Sequence, residues 1–260
     1  MKLDNFKLFA IDVQNDFITG SLAVPGAVQD VQNIAQLVDR LGDSINSIFL
    51  TADTHPVIHI GHPGYWKDAN GQAPAPFTRI TREDLASGAF TTADPDKSKY
   101  ALDYVTALGG TTVWPVHCVN GTVGFAPGLG LVAAILKWRL ATSRVLAYAA
   151  KGEDPDLEYF GVFAPEYNSK EHFNETLARQ LLNSDLPIVV VGEARSHCVR
   201  RSVEQLVQYI REQGIKFDLN KIVLLEDCMS DVVGFEETGR AFFTSMTELG
   251  VTITKSTELV

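Results

Sequence analysis

The chain is short of the residues that would staple it, anchor it or draw it to polyanions. Its 260 residues hold only three cysteines, Cys118, Cys198 and Cys228. Their spacing makes neither a close metal-binding pair nor a dense disulfide framework, which favours a reducing, cytoplasmic setting. No apolar run is long enough to span a bilayer, and no basic, apolar, small-residue leader opens the sequence, so neither a membrane anchor nor a secretion signal is expected. Positive charge is scarce as well: 22 Lys and Arg stand against 32 Asp and Glu, a formal net charge of −10. That balance argues against general binding to nucleic acid or anionic membranes and reads most simply as a solvated acidic surface. Internal repeats, low-complexity tracts and linker-like stretches are missing too, and the length suits one domain over residues 1–260. A small-molecule partner fits this profile, and a homo-oligomer stays open.

What is present is an alternation of apolar runs and amphipathic stretches. Strands are expected at Lys7 to Ile11, Ser47 to Ala52, Val145 to Ala150, Pro187 to Gly192, Lys221 to Glu226 and Val251 to Lys255. Helices are expected at Val28 to Leu41, Leu129 to Ala141, Glu171 to Leu182, Cys198 to Gln213 and Glu236 to Leu249. In the first of these, Val28, Val31, Ile34, Ala35, Val38 and Leu41 keep the helical period. Alternating βα units imply an α/β fold, a three-layer α/β/α sandwich around a mostly parallel sheet of about six strands. Residues 62–113 interrupt the alternation with a long Pro- and Gly-containing insertion and a helix expected at Lys97 to Leu108. Long connections in compact domains tend to be functional or disordered, and this one is expected near the active-site mouth. Tyr65, Trp66 and Phe77 within it therefore either touch a ligand or pack a small satellite core.

Three apolar runs end in chemistry. Val189-Val190-Val191-Gly192 leads through Glu193-Ala194-Arg195-Ser196-His197 to Cys198, at a switch from strand to helix. A thiol there is expected to have a lowered pKa, because backbone N–H groups at a helix start carry partial positive charge; a core thiol is the plain alternative. Phe6 to Ile11 ends at Asp12, and Val145 to Ala150 ends at Lys151. Ligands of open α/β sheets bind outside the carboxyl ends of the strands, so Asp12, Lys151 and Cys198 can converge there as base, cation and nucleophile for acyl transfer. Asp53-Thr54-His55 closes another run, and strand periodicity puts Asp53 and His55 on one face. With His117 they would leave open positions on a divalent ion, although a hydrogen-bonded cluster satisfies the same spacing. His59 and His62 are expected outside the ligand set, and Cys118 and Cys228 are expected as core thiols.

Taken in order, Ile11 to Phe17 with Gly20 to Gly26, Thr51 to Pro56, Trp114 to Thr122, Lys151-Gly152 and Gly192 to Val199 resemble the isochorismatase-like cysteine hydrolases, and within them the nicotinamidase branch. The resemblance spans most of the chain. It implies the isochorismatase-like hydrolase fold and a triad of Asp12, Lys151 and Cys198. It implies a cis peptide between Glu193 and Ala194, with the N–H groups of Ala194 and Cys198 forming an oxyanion hole. It further implies one divalent metal, zinc first with manganese or iron as alternatives, on Asp53, His55 and His117. Phe17, Trp114, Tyr159 and His197 are the implied pocket residues. The implied activity is hydrolysis of nicotinamide to nicotinate and ammonia through a thioester, and hence a part in NAD metabolism. Thr54, Glu158 to Phe163, Glu193 and His197 depart from or border the family's pocket pattern, which leaves another small amide, an N-carbamoyl or a ureido substrate open. A non-catalytic ligand-binding relative is the alternative of a different class.

Overall fold

In a computed structural model describing residues 1–260, the apolar runs become neighbours in one sheet. The chain opens with β1 (Phe6–Ile11), α1 (Asn15–Ile18), α2 (Ala27–Leu41) and β2 (Ile45–Asp53). The insertion then contributes β3 (Trp66–Asp68), β4 (Arg79–Ile80), α3 (Arg82–Ser87), β5 (Phe90–Thr92), α4 (Ser98–Leu108) and β6 (Thr111–Thr112). Next come α5 (Leu129–Thr142), β7 (Val145–Lys151), α6 (Glu175–Leu181) and β8 (Ile188–Gly192). The last elements are α7 (Arg200–Glu212), β9 (Ile222–Leu225), α8 (Glu236–Glu248) and β10 (Thr252–Thr254). The main sheet has six strands in the order β10-β9-β8-β1-β2-β7, every pair parallel. No helix is long and apolar enough to cross a membrane.

A parallel sheet covered on both faces needs strands that are apolar almost throughout, and β1 and β8 are buried along their whole length. Their side chains alternate between two cores. Phe9, Ile11 and Val190 join Val203, Leu206 and Leu224 on one face. Leu8, Ala10, Val189 and Val191 join Ile34, Leu37 and Trp138 on the other. The one charge inside β1, Lys7, reaches the carboxyl end of α6, where Nζ donates to Leu181 O at 2.6 Å and Asn183 Oδ1 at 2.8 Å. An ammonium at a helix C-terminus meets carbonyls that lack helical partners.

Two expected helix starts move, each for a local reason. The helix expected from Glu171 begins at Glu175, because Asn174 caps it by accepting the Leu177 N–H at 3.0 Å. The helix expected from Cys198 begins at Arg200, because Arg195–Val199 form a wider π turn ahead of it. In the insertion, β3 pairs with β5 and β4 with β6, both antiparallel. Tyr65 and Trp66 fill a satellite core with Ile60, Ile80, Tyr104 and Val105, so the packing alternative holds for both. Phe77 instead lies exposed, edge-on to Trp114 with ring centroids 6.0 Å apart. The satellite is fastened to the segment after β7: Tyr65 Oη donates to Asp156 Oδ1 and Tyr100 Oη to Asp156 O, both at 2.8 Å, and Lys97 pairs with the same carboxylate.

Candidate active site

The sheet order sends the chain from β1 outward in both directions, to β2 and β7 on one side and to β8 and β9 on the other. The crevice beyond the carboxyl ends of such strands is where open α/β sheets place ligands. Asp12 follows β1, Asp53 ends β2, Lys151 ends β7, and Cys198 sits in the π turn after β8. Gly192 makes the approach of β8 to β1 feasible: its φ is +125°, and a Cβ there would collide with the Ile11 backbone.

Lys151 is the hub of the buried charges. Its Nζ lies 3.1 Å from Asp12 Oδ2, 2.8 Å from Asp53 Oδ1 and 3.7 Å from Cys198 Sγ, and it donates to Tyr159 O at 2.7 Å. Asp12 Oδ1 accepts from Thr51 Oγ1 at 2.5 Å, and the Asp12 N–H donates to the same hydroxyl at 3.1 Å. Burial raises the Asp12 carboxyl, with Lys151 pulling against it. Burial by itself would lower the Lys151 ammonium, but Asp12 and Asp53 outweigh it and hold it well above the ordinary lysine value. The Cys198 thiol moves opposite to the sequence expectation. Burial pushes it well above the ordinary cysteine value, and Lys151 only opposes that shift. The physical reason is that Cys198 precedes α7 inside a dry turn, so desolvation of the thiolate exceeds the stabilisation the local charges supply. A thiol so buried is served by a base beside it.

The Glu193–Ala194 peptide is cis. Glu193 N donates to Ile11 O at 2.9 Å and Arg195 N to Ser230 O at 2.7 Å, whereas the Ala194 N–H between them meets no protein acceptor. It is a donor left for a ligand. The Glu193 side chain turns away from the crevice, with Oε2 accepting from Ser230 N at 3.3 Å and the carboxyl facing Asp30, whose Oδ2 accepts from Ser230 Oγ at 2.5 Å. Burial, then Asp30, pushes Glu193 well above the ordinary carboxyl range.

Asp53, His55 and His117 meet at the other end of the crevice. Asp53 Oδ2 is 3.0 Å from His55 Nε2 and 3.3 Å from His117 Nε2. The far nitrogens are held by main-chain carbonyls: His55 Nδ1 is 3.1 Å from Gly152 O and His117 Nδ1 is 2.8 Å from Pro115 O. Such carbonyls fix the tautomer, so both Nε2 atoms present lone pairs toward one point, as metal-ligating histidines do. Gly152 is needed for this, since its φ is +83° and a Cβ would sit 2.8 Å from the His55 ring. The donor set of two imidazoles and one carboxylate fits a divalent transition metal. His55, His59 and His62 are also mutually close. Both His59 nitrogens are committed, however, Nε2 to Leu157 O at 3.2 Å and Nδ1 to the Gly61 N–H at 3.1 Å. His62 packs against His117, its Nε2 3.3 Å from His117 Nδ1, and burial pulls its pKa down to about 3. Both are buried neighbours of the ligand set and lie off the surface.

One cavity joins the two constellations. Phe17, Leu22, Trp114, Phe160, His197 and Val232 wall it, and Asp53, His117, Glu158, Ala194 and Cys198 supply its polar edge. Of the four residues expected to line a pocket, Phe17, Trp114 and His197 line this cavity and Tyr159 does not. Its carbonyl turns to Lys151, which aims the next side chain, Phe160, into the cavity instead. Sequence reasoning also missed Glu158, which is buried with Oε1 accepting the Tyr159 N–H at 3.1 Å and Oε2 meeting no protein donor. Cys118 and Cys228 are buried thiols pushed up by burial, consistent with core roles.

No protein-family model matches the chain. It is 27% identical over 196 residues to a nicotinamidase of Saccharomyces cerevisiae, an alignment covering 74% of this chain and 77% of the relative. A crystal structure of the yeast nicotinamidase bound to the inhibitor nicotinaldehyde superposes with a TM-score of 0.64, 21% identity, and coverage of 98% and 100% of the two chains. A nicotinamidase of Acinetobacter baylyi is 27% identical over 229 residues, 86% of this chain and 81% of the relative. The zinc complex of the pyrazinamidase of Pyrococcus horikoshii shares the fold at a TM-score of 0.58 and 19% identity, covering 96% of this chain and 98% of that one.

Proposed function

We propose that the chain is an amidohydrolase of the isochorismatase-like kind, similar to nicotinamidases, and that it hydrolyses nicotinamide to nicotinate and ammonia. The observation that carries the reading is the cluster of Asp12, Lys151 and Cys198, with Cys198 lining the same small cavity that Asp53 and His117 border. Asp12 takes the Cys198 proton. A carboxylate whose pKa is raised by burial is a better proton acceptor than an ordinary aspartate, and Lys151 keeps it charged while steadying the thiolate that forms. The sulfur attacks the carboxamide carbon, and the Ala194 and Cys198 N–H groups receive the oxyanion, each such donor contributing about 2.7–4 kcal/mol. Asp12 returns the proton to the departing ammonia, and water then cleaves the thioester to give the carboxylate and restore Cys198.

Asp53, His55 and His117 would hold one divalent ion, zinc by analogy with the Pyrococcus pyrazinamidase. When bound, it supplies an electron-pair acceptor for a pyridine nitrogen. The aromatic walls do the remaining positioning: Trp114, Phe160, His197 and Phe235 form a cluster with ring centroids 4.6–6.2 Å apart. The cavity is small and lined mostly by apolar side chains, which suits a planar ring. The test compares nicotinamide with benzamide, which lacks the ring nitrogen, in zinc-loaded and chelated protein. Nicotinamide should be turned over far better, and chelation should raise its apparent KM. Equal turnover of both amides, insensitive to chelation, would refute this mode of recognition and favour an N-carbamoyl or ureido substrate.

A further inference from the structure

Glu158 is a carboxylate with no visible reason to be where it is. It comes from the segment after β7, has no part in the triad or the metal trio, and is 5% exposed. Its Oε1 is satisfied by the Tyr159 N–H, and its Oε2 is buried without a donor. Leaving a buried carboxylate oxygen unpaired costs a few kcal/mol, so such an atom calls for a partner that binds with the cofactor or ligand. Glu158 borders the same cavity as Asp53 and His117, and its Oε2 lies on the histidine side: a Cβ on Gly61 would collide with it and lie 3.2 Å from Nδ1 of His59, whose ring centroid is 4.1 Å from that of His55. Charge leads to the same place. Asp12, Asp53 and Glu158 bring three buried carboxylates to the crevice, against the single permanent cation of Lys151. Two other buried carboxylates have an oxygen without a hydrogen bond, and both show the contrast: Asp12 Oδ2 has the Lys151 ammonium 3.1 Å away, and Glu193 faces Asp30 and Ser230 away from the cavity.

We propose that Glu158 is the outer carboxylate of the metal centre, its free Oε2 accepting a hydrogen from a water that completes the coordination of the ion on Asp53, His55 and His117. Glu158 is not among the donors that cluster within 4.8 Å, so it acts across a water and not as a ligand itself. It positions the ion and is not assigned the acyl chemistry. The inference rests on reading that trio as a metal site, and it is independent of which amide is hydrolysed.

The test is zinc affinity, measured by chelator competition on full-length protein without substrate. Outer-shell partners set metal affinity by about 10–100-fold, so Glu158→Gln should weaken zinc by that factor. Glu193→Gln should leave it unchanged. Thermal melts separate this role from a structural one. In the metal-free state Glu158→Gln should melt no lower than the native chain, because an unpaired buried carboxylate has been removed, while the zinc-induced rise in Tm should shrink. A merely structural Glu158 would give the reverse, a lower metal-free Tm with zinc affinity intact. Glu158→Asp, which withdraws the carboxylate by one methylene, should fall between, and it decides the matter if the Gln variant fails to fold. Zinc affinity within about threefold of native in a folded Glu158 variant would overturn the proposal. Failure of the native chain to bind zinc, with His55→Ala no different, would instead overturn the metal-site reading beneath it.

Discussion

Replacing Lys151 by methionine removes a charge while keeping most of the volume, and the structure says where the loss will be felt. The ammonium lies 2.8 Å from Asp53 and 3.1 Å from Asp12, all three groups buried. At an effective dielectric of about 20, each contact is worth roughly 5–6 kcal/mol of gross attraction. Desolvation offsets much of that in the intact site, and taking away one partner of a buried pair typically costs about 3–5 kcal/mol. The loss should depend on pH. In the native chain burial alone would raise Asp53, but His55 and Lys151 hold it well below the ordinary range. Its contribution is therefore present above the unfolded value near ~3.9 and lost as pH falls through the folded value.

Without Lys151 the Asp53 carboxyl moves up, and Asp12, already raised by burial, moves up further. A carboxyl whose folded pKa exceeds its unfolded one contributes less as pH rises through that window, so the variant should lose ground steadily from about pH 4 upward. Urea denaturation of chelator-treated protein at pH 4.5, 6 and 7.5 measures this, with m-values checked for two-state behaviour. The expected deficit is about 3–5 kcal/mol at pH 7.5 and clearly smaller at pH 4.5. A deficit under about 1 kcal/mol at pH 7.5, or one equal at every pH, would mean that Lys151 does not hold the two carboxylates together as described.

Cys198→Ala should abolish turnover with the fold and zinc binding retained, whereas Cys118→Ala and Cys228→Ala should stay active at a stability cost of about 0.5–3 kcal/mol; alkylation that inactivates through Cys118 while sparing Cys198 would refute the assignment. Asp12→Asn should nearly silence acylation, read as loss of ammonia release in a single-turnover assay; native-like release would refute its role as the base. Glu193→Gln should stabilise the protein increasingly as pH rises: burial and Asp30 raise the native carboxyl, so its contribution is full below the unfolded value and lost toward the folded one, a loss the amide lacks. The gap in Tm should widen by about 2–4 °C or more between pH 5 and 8, and a gap that closes over that range would mean that burial and Asp30 do not raise the Glu193 carboxyl.

The parts legible in the sequence are those in which a period and an endpoint coincide. Val189 to Gly192 had to be a buried strand, and a strand that ends at the crevice leaves Cys198 beyond it, as β1 leaves Asp12 and β7 leaves Lys151. Glu158 and Phe160 had no such marker. Their segment follows no period, and its path is set by partners far away in sequence, Tyr65, Lys97 and Tyr100 on Asp156 and Lys151 on Tyr159 O. A one-residue change in which side chain faces inward decides between Tyr159 and Phe160, and no local rule settles it. The thiol was misjudged for a related reason: charge near Cys198 can be read from neighbouring residues, but the dryness of its turn depends on Phe160, Val162 and Val232 packing from elsewhere.

Asp53 gives the two constellations a common member, with Oδ1 on Lys151 and Oδ2 facing the two imidazoles. Metal removal should therefore be felt at sulfur even without substrate. A divalent cation on the Oδ2 side draws the Asp53 charge away from Lys151, leaving the ammonium more fully to Asp12 and the thiol, and its own field also favours thiolate. Both effects have the same sign, so zinc-loaded protein should alkylate Cys198 faster than chelated protein at neutral pH, and re-addition of zinc should restore the rate. Access does not produce this pattern, because filling the crevice with an ion narrows it. Iodoacetamide kinetics followed by peptide mass spectrometry at Cys198, with Cys118 as internal control, measure the difference. The same rate constants with and without zinc would show that Asp53 does not transmit charge from the metal site to the nucleophile.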